Sequence, residues 1–157
     1  MSKEEDFVEH LFIANTHNYM LFFTDQGKCY WLKVYDIPQG GRAARGRAIV
    51  NLIGCDPGEK IEAFVSVKEF DDNHYIAMAT RNGIVKKTVL SAYGKPRKGG
   101  IYAIEIRDGD KLIEARVTNG EHDILLGTSE GKSIRFSEND IRPVSYTHLR
   151  AHETRFY

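Results

Sequence analysis

One pattern of residues occurs three times in this chain, and it constrains the fold more than any other feature. Each copy has an apolar run, then Thr-x-x-Gly, then a second run in which apolar and polar residues alternate. Apolar, aromatic and β-branched residues favour strands, and glycine supplies the positive φ that a tight reversal needs. The pattern therefore predicts three β-hairpins, with turn glycines Gly27, Gly83 and Gly131, in YMLFFTDQGKCYWLKV (19–34), YIAMATRNGIVKKTV (75–89) and DILLGTSEGKSIRF (123–136).

A second pattern lies between the hairpins. Residues 46–67 align with residues 100–118, so that Val50 corresponds to Ile104 and the turn DPGEKI corresponds to RDGDKL. This pattern also predicts strand, turn and strand. Four strands in about 50 residues is the content expected of one blade of a propeller. The sequence thus predicts an all-β fold, a partial propeller-like array of about four-stranded blades with roughly two to three blades present.

The repeats also predict how the chain is organised. Residues 1–38 end a first blade and begin the next repeat unit, residues 39–93 form a second unit, and residues 94–143 form a third. The last stretch, VSYTHLRAHETRFY (144–157), does not continue the repeat, and we interpret it as a non-native tail outside the fold. An array of this length is too short to close a ring, so we expect a fragment of a longer protein with exposed strand edges.

Composition narrows the class of protein. Hydrophobic residues make up 41% of the chain and charged residues 28%, which is typical of a globular domain and not of a disordered one. The N-terminus is acidic, and no apolar run approaches the roughly 20 residues of a membrane-spanning helix. Cys29 and Cys55 do not form a disulfide or metal-binding pattern. We therefore expect a cytoplasmic protein with reduced thiols and no membrane association.

Positive charge is concentrated in a few stretches, although 22 basic residues balance 22 acidic ones. Between Arg81 and Lys98 there are six cations and no anion, and a second basic cluster, GRAARGR, spans 41–47. Residues 54–74 are acidic, which predicts an exposed face or, alternatively, a subunit contact. Cations at matching places in successive repeats predict an outer rim that follows a phosphate backbone. The candidate DNA-binding residues are Arg42, Arg45, Arg47, Lys86, Lys87, Lys95, Arg97, Lys98, Lys132 and Arg135.

Two pairs of residues have a second interpretation. Lys86 and Lys87 also fit solvated charges that protect a strand from edge-to-edge pairing. Tyr30 and Trp31 fit packing inside a blade better than stacking on nucleic-acid bases. Both alternatives are structural, and neither requires a ligand.

Patterns for catalysis are absent from the sequence. GRAARGRA lacks the Gly-Lys-Ser/Thr ending of a phosphate-binding P-loop. His17, His74 and His122 lie just before the first strand of each hairpin, and none has a companion Cys or His at ligand spacing. A structural role is therefore favoured for them. The sequence predicts no catalytic residue, no metal site and no cofactor in this segment.

Several longer strings resemble the C-terminal domain of the A subunit of bacterial DNA gyrase. The likeness covers about residues 3–143. The matching strings are KEEDFVEHLFIANTHNYMLFFTDQGKCYWLKVYDIP (3–38), ARGRAIVNLI (44–53), GEKIEAFVSVKEF (58–70), MATRNGIVKKTVLSAY (78–93) and RDGDKLIEARVTNGEHDILLGTSEGKSIRFSENDIRP (107–143).

The resemblance implies a β-pinwheel, a propeller variant in which strands are exchanged between blades. It also implies a domain that binds double-stranded DNA and wraps it round a basic perimeter, so that the whole type II topoisomerase can introduce negative supercoils. The implied partners are the gyrase B subunit and the N-terminal part of the A subunit, in a heterotetramer whose other parts use ATP and Mg²⁺. The family's first-blade heptad, Gln-Arg-Arg-Gly-Gly-Lys-Gly, is absent from this chain.

Two other functions are kept as alternatives. One is a non-catalytic, propeller-like scaffold for protein interactions, in which the basic loops only maintain solubility. The other is the equivalent domain of topoisomerase IV. The strings FIANTH and ARGRAIVNLI favour gyrase over topoisomerase IV.

Overall fold

A computed structural model of the chain describes residues 11–40, 46, 52–143 and 154–155. The elements in these ranges are short strands and 3-10 helices. In chain order they are β1 (Tyr19–Thr24), β2 (Lys28–Lys33), η1 (Val34–Asp36), β3 (Ile61–Val67), β4 (Tyr75–Thr80), β5 (Ile84–Val89), η2 (Leu90–Tyr93), β6 (Ile101–Tyr102), β7 (Leu112–Thr118), β8 (Asp123–Gly127), β9 (Ser133–Ser137), η3 (Glu138–Asp140) and β10 (Thr154–Arg155). None of the helices in the described ranges is long and apolar enough to span a membrane.

The three predicted hairpins are confirmed as β1–β2, β4–β5 and β8–β9. Their turn glycines have φ values of 83°, 91° and 83°, which lie in the left-handed region that glycine adopts without strain. The threonine of each Thr-x-x-Gly turn has its own role, because its hydroxyl accepts a hydrogen bond from the main-chain N–H four residues on. These bonds join Lys28 to Thr24 (3.3 Å), Ile84 to Thr80 (3.1 Å) and Lys132 to Thr128 (3.1 Å).

Each hairpin ends in a 3-10 helix that returns the chain to the start of the same hairpin. The first N–H of η1, η2 and η3 donates to a carbonyl just before β1, β4 and β8. The bonds are Val34 N to Asn18 O (3.0 Å), Leu90 N to His74 O (2.8 Å) and Glu138 N to His122 O (2.9 Å). The histidines before the second and third hairpins thus contribute main-chain acceptors, and the structural role of their side chains stays a prediction.

Strands from later in the chain complete the first two sheets. The strand orders are β3-β1-β2-β6 and β10-β5-β4-β7, and β8-β9 forms a third sheet. We call the groups built on these hairpins unit 1, unit 2 and unit 3. Strand β6 belongs to the repeat after unit 1 but pairs with β2, as the strand exchange implied by the resemblance requires. The fold is therefore the expected partial propeller-like array.

The end of the chain contributes a strand that the sequence analysis placed outside the fold. Strand β10 pairs with β5 through Thr154–Val85 and Arg155–Ile84. Strand β6 pairs with β2 in the equivalent register, through Ile101–Cys29 and Tyr102–Lys28. The exclusion of residues 144–157 from the fold is thus wrong for these two residues, because unit 2 has an open strand position at that edge. The non-native origin of the tail stays a prediction.

The first strand of each copy of the second pattern differs from the prediction. Leu52 and Ile53 have helical backbone, so the strand prediction is wrong there, while residues 47–51 lie outside the described residues. In the matching segment the first strand is limited to Ile101 and Tyr102, because the chain then crosses the turn of hairpin β1–β2, whereas the second strands of the two copies are formed in full as β3 and β7. At that crossing Ala103 N donates to Gly27 O over 2.8 Å.

The main core lies between units 1 and 2. Leu21, Phe23 and Cys29 of unit 1 pack against residues of unit 2 that include Ile76 and Met78. A smaller cluster joins units 2 and 3 and consists of Val85, Phe136 and Ile141, with partly buried neighbours. Alternate residues of hairpin β4–β5 therefore face unit 1 and unit 3, as the period of a β-strand requires. We call the side that faces the following unit the forward face.

Candidate nucleic-acid interface

Residues 94–100, which we call the basic loop, connect η2 of unit 2 to β6 on the sheet of unit 1. The three cations predicted in this loop, Lys95, Arg97 and Lys98, are all exposed. The described structure shows no ion pair of Arg97 or Lys98 with a carboxylate. These two charges can therefore meet an anion from solvent without first breaking an internal contact.

The C-terminal end of the basic loop is fixed by two glycines. Gly99 and Gly100 have φ values of 87° and 75°, which other residues adopt only with strain. A Cβ atom on Gly100 would lie 2.7 Å from Cys29 O and 2.9 Å from a ring carbon of Tyr30. Gly100 also donates its N–H to Arg97 O over 3.1 Å. The loop thus lies directly on β2, and only glycine fits at that contact.

The N-terminal end of the same loop is fixed by a contact between units. Trp31 Nε1 of β2 donates to the carbonyl of Tyr93, the last residue of η2, over 2.8 Å. The next residue, Gly94, donates to Ser91 O over 3.0 Å. The basic loop is therefore held at both ends across the junction of units 1 and 2. Anchored ends reduce the conformational entropy that the three cations lose when an anion binds.

The predicted positions of Lys86 and Lys87 on an exposed rim are wrong. The two residues are only 1% and 2% exposed, so the alternative of solvated edge charges is wrong as well. Lys86 Nζ donates to Ala103 O over 2.9 Å, which joins unit 2 to the segment that follows β6. A buried ammonium needs such partners because desolvation of an unpaired charge is costly.

Lys87 points from the other face of the same strand toward unit 3. Its Nζ donates to Glu138 O over 3.0 Å and lies 3.4 Å from Glu138 Oε1. The ammonium also sits 4.6 Å from the centroid of the Tyr75 ring, within the range of a cation–π interaction. Lys87 is therefore a contact between units, and its burial leaves no charge for DNA.

Glu138 is the buried carboxylate at the centre of this contact. It accepts main-chain N–H bonds from Gly120 (3.0 Å) and His122 (2.8 Å), in addition to the contact with Lys87. Burial acts to raise the pKa of Glu138, but the hydrogen bond from His122 and the charge of Lys87 outweigh it, so the pKa lies below its ordinary value. Glu138 thus remains ionised at neutral pH and holds the start of hairpin β8–β9 against unit 2.

Lys132 and Arg135 are exposed on hairpin β8–β9. Lys132 follows the turn, with its main chain held by Thr128. Arg135 Nε lies 3.5 Å from Asp123 Oδ2, and both side chains are largely exposed, so this ion pair contributes little to stability. Arg42, Arg45 and Arg47 lie outside the described residues. Five of the ten predicted cations are therefore exposed, and Lys95, Arg97 and Lys98 are the ones that share a loop.

The aromatic pair of β2 serves packing, as the favoured interpretation predicted. Tyr30 is buried, and its hydroxyl donates to Glu59 Oε1 over 2.8 Å. Burial and the acceptor Glu59 raise the pKa of Tyr30 to about 12. Trp31 is committed to the Tyr93 carbonyl. The Tyr30 ring is therefore closed to a base, and the half-buried Trp31 packs against the main core.

The acidic stretch 54–74 is used partly within the protein. Asp56 Oδ2 lies 3.0 Å from Lys28 Nζ, and this hydrogen bond lowers the pKa of Asp56. Asp71 accepts from the main chain and ring of His74, which lowers its pKa as well. Glu69 and Asp72 remain exposed. Grouped His, Cys, Asp or Glu side chains that would suit a metal ion do not occur in the described part of the chain.

The residues that hold the basic loop and hairpin β8–β9 in place were not predicted from the sequence. Gly100 looked like an ordinary loop glycine, although the pair Gly99–Gly100 before a strand is a signal for positive φ. Glu138 looked like one of many surface acids. The signal for its burial was present in the repeat, because it aligns with the apolar residues Val34 and Leu90 at the start of η1 and η2.

The repeated hairpins, exchanged edge strands and 3-10 turns define a β-propeller-like repeat protein with an exposed basic loop between units. The chain belongs to the family of DNA gyrase C-terminal domains, because the family model described as "DNA gyrase C-terminal domain, beta-propeller" matches residues 18–68, 74–119 and 122–147. Each range begins just before the first strand of a hairpin, and the first two ranges end just after β3 and β7.

Comparison with curated proteins and solved structures agrees with this family. The chain is 50% identical over 143 residues, 91% of its length, to the A subunit of DNA gyrase from Clostridium acetobutylicum. It is 50% identical over 137 residues, 87% of its length, to the A subunit of DNA gyrase from Neisseria gonorrhoeae. The chain spans only 17% and 15% of these two relatives.

Two similar structures are the C-terminal domains of DNA topoisomerase IV and of DNA gyrase A. One, from DNA topoisomerase IV, has a TM-score of 0.79 and 28% identity and covers 89% of this chain and 43% of that one. The other, from DNA gyrase A, has a TM-score of 0.69 and 20% identity and covers 85% and 43%. The second match supports the fold alone.

Proposed function

We propose that this segment binds double-stranded DNA and bends it along its surface, as the DNA-wrapping part of gyrase A. The basic loop is the observation that carries the proposal, because it presents three exposed cations from a backbone held at both ends. Lysine and arginine neutralise phosphates without reading bases and release counterions as they do so. Binding should therefore be weakly selective for sequence and strongly dependent on salt.

In the whole enzyme this segment would bind and bend DNA, and it would not take part in a chemical step. We propose that its partners are the N-terminal part of gyrase A and the gyrase B subunit, in a cytoplasmic heterotetramer. ATP and Mg²⁺ would be used by those other parts, and this segment would need no cofactor of its own. Bending a duplex of 20–30 bp costs on the order of several kcal/mol, and repeated cation–phosphate contacts offset that cost.

A charge-matched pair of variants tests the proposal in the full-length protein. The first variant carries Lys95→Gln, Arg97→Gln and Lys98→Gln. The control carries Lys60→Gln, Lys68→Gln and Lys111→Gln, which removes three exposed charges from the opposite edge of the sheets, beside β3 and β7. We expect the first variant to lower DNA affinity and to reduce the slope of log K against log salt by about 2–3, since each lost phosphate contact reduces it by about 1.

The control should keep both the affinity and the salt slope. Equal losses in the two variants would show that only total charge matters, and no loss in the first would remove the basic loop from the interface. A supercoiling assay with the complete enzyme adds a functional readout, in which the first variant should supercoil less while still cleaving DNA.

Topoisomerase IV is the second candidate, and the structural match with a TM-score of 0.79 favours it. The complete enzyme distinguishes the two. Introduction of negative supercoils into relaxed DNA supports the gyrase assignment, whereas decatenation without negative supercoiling supports topoisomerase IV. A salt-independent complex with protein partners and no DNA affinity would instead support the interaction scaffold.

A further inference from the structure

The second strand of each hairpin contains one position that is equivalent in all three units. It is occupied by Trp31, Lys87 and Arg135, which pair across their hairpins with Leu21, Ala77 and Leu125. The residue lies on the forward face in each unit. The chemistry of the three side chains differs, but each carries at least one N–H donor at its end.

In units 1 and 2 this donor reaches the same part of the following unit. Trp31 Nε1 donates to the carbonyl of Tyr93 in η2 over 2.8 Å. Lys87 Nζ donates to the carbonyl of Glu138 in η3 over 3.0 Å. Both acceptors are main-chain carbonyls of a 3-10 helix. Tyr93 is the last residue of η2, and Glu138 is the first residue of η3, where its carbonyl also accepts from Ile141 N. The position of the donor in the repeat and the 3-10 helix that it reaches are therefore kept, while the donor group and the acceptor residue within that helix change.

The contact beside the donor also persists in unit 3. Lys87 lies 4.6 Å from the ring of Tyr75, the first residue of β4. Arg135 lies 3.5 Å from the carboxylate of Asp123, the first residue of β8. Tyr75 and Asp123 are equivalent in the repeat, so Lys87 and Arg135 each lie beside the first residue of their own hairpin.

The forward face of unit 3 is more exposed to solvent than the forward faces of units 1 and 2. Leu21 is fully buried and Ala77 is half-buried, whereas Leu125 at the equivalent place is 69% exposed. The strand edges differ in the same way. Strand β1 is covered by β3 and β4 by β7, while β9 is the only strand that pairs with β8 within the ranges that the structure describes.

We infer that Arg135 is a contact between repeat units and not a phosphate ligand. The forward face of hairpin β8–β9 receives a further hairpin unit of the same polypeptide, and the Arg135 guanidinium donates to a main-chain carbonyl of its 3-10 helix. The occupant follows from continuity with the two interfaces already formed, and from relatives in which a chain like this is 17% or less of the length. Arg135 is thereby removed from the DNA-binding set that the sequence predicted.

Two arginine variants of the full-length protein test this assignment, because each variant should change only one of two measurements, amide exchange or the salt slope of DNA binding. In Arg135→Ala we expect amide exchange in β8 and β9 to be faster by about tenfold, because the docked unit loses a charged hydrogen bond. The salt slope of DNA binding should not change. In Arg97→Ala we expect the opposite, with a slope smaller by about 1 and unchanged exchange.

The conservative variant Arg135→Lys keeps the experiment informative if Arg135→Ala does not fold. Lysine performs this role at position 87, so Arg135→Lys should protect β8 and β9 nearly as well as the natural residue. A decreased salt slope in Arg135→Ala with unchanged exchange would overturn the inference, as would unchanged exchange and unchanged slope together. Failure of the DNA-binding proposal would appear in Arg97→Ala alone, so the two conclusions are tested separately.

Discussion

The two interfaces between units are built at the same backbone positions from different chemistry. Units 1 and 2 meet through a large apolar core that includes Leu21, Phe23, Ile76 and Met78, with the neutral indole of Trp31 reaching across. Units 2 and 3 meet through a smaller apolar cluster and the buried pair Lys87–Glu138. The apolar interface gains most from desolvation, whereas the charged one depends on every buried polar group having a partner.

The difference shows how a repeat can vary its side chains while keeping its spacing. A hydrogen bond to a main-chain carbonyl fixes the distance between a hairpin and the next 3-10 helix, whichever side chain donates it. Indole and ammonium groups differ in charge, but each reaches a carbonyl of the next 3-10 helix at about the same distance, 2.8 Å to Tyr93 and 3.0 Å to Glu138. The anchoring of the basic loop depends on one of these contacts, because Tyr93 directly precedes it.

The largest expected effect comes from Glu138→Leu, which gives unit 3 the residue that unit 2 has at Leu90. The change leaves Lys87 and the N–H groups of Gly120 and His122 without their carboxylate acceptor. We expect a loss of roughly 3–5 kcal/mol in the free energy of unfolding, because breaking a buried pair leaves an uncompensated charge. Denaturant unfolding with an intrinsic or attached fluorophore measures it.

Leu90→Ile is the matched control at the equivalent place in unit 2. It keeps an apolar side chain in a buried site and should cost less than about 1.5 kcal/mol. A similar small loss for Glu138→Leu would mean that the charged contact contributes no more than an apolar one.

A smaller effect is expected from Trp31→Phe at the apolar interface. The variant keeps an aromatic ring but removes the donor to Tyr93 O, and a neutral hydrogen bond contributes about 1 kcal/mol. The free energy of unfolding should fall by about that amount, with some added loss from the smaller ring. Lys87→Met removes the equivalent donor in unit 2, and it should cost more because it strips a buried carboxylate of its counter-charge.

Equal costs for Trp31→Phe and Lys87→Met would contradict the distinction between the two interfaces. A further measurement is DNA affinity, which should fall in Trp31→Phe if the anchored end of the basic loop matters for binding. An unchanged affinity would show that the glycine end alone positions the loop.

The smallest expected effect is a difference between the two interfaces in how their stability depends on pH. It can be measured without a large change in structure. The pKa of Glu138 is lower in the folded protein than its usual value, which is about 4.3 in unfolded chains. Its contribution to stability is therefore fully present above that pH and is lost as the pH falls through the folded pKa. Amide exchange in β8 and β9 should accelerate in acid before exchange in β1 and β2.

The variant Glu138→Gln is the control for the acid effect. It should be less stable at neutral pH, and exchange in β8 and β9 should then lose its extra dependence on acid. Asp56 and Asp71 also have lowered pKa values, but they lie at the surface beside units 1 and 2. If β1 and β2 exchange first in acid, those surface contacts and not Glu138 control the acid response.

Much of the fold was predictable from local sequence, because a hairpin is specified within about fifteen residues. The Thr-x-x-Gly turns located all three hairpins, since the glycine φ and the threonine hydroxyl bond are both local properties. The end of the chain was less predictable, because the pairing of β10 with β5 depends on an open edge elsewhere in the fold. The pattern of apolar residues around Leu52 and Ile53 did not distinguish a helix from a strand, so their helical backbone was not predicted.

The sequence by itself determined the repeat, the hairpins and the propeller-like class, since all of these follow from neighbours along the chain. Only the tertiary structure decided which cations face solvent. Lys86 and Lys87 sit in the same basic run as Lys95, Arg97 and Lys98, yet their strand turns them toward the two neighbouring units. The physical reason is that burial of a charge depends on partners supplied from distant residues, here Ala103 and Glu138.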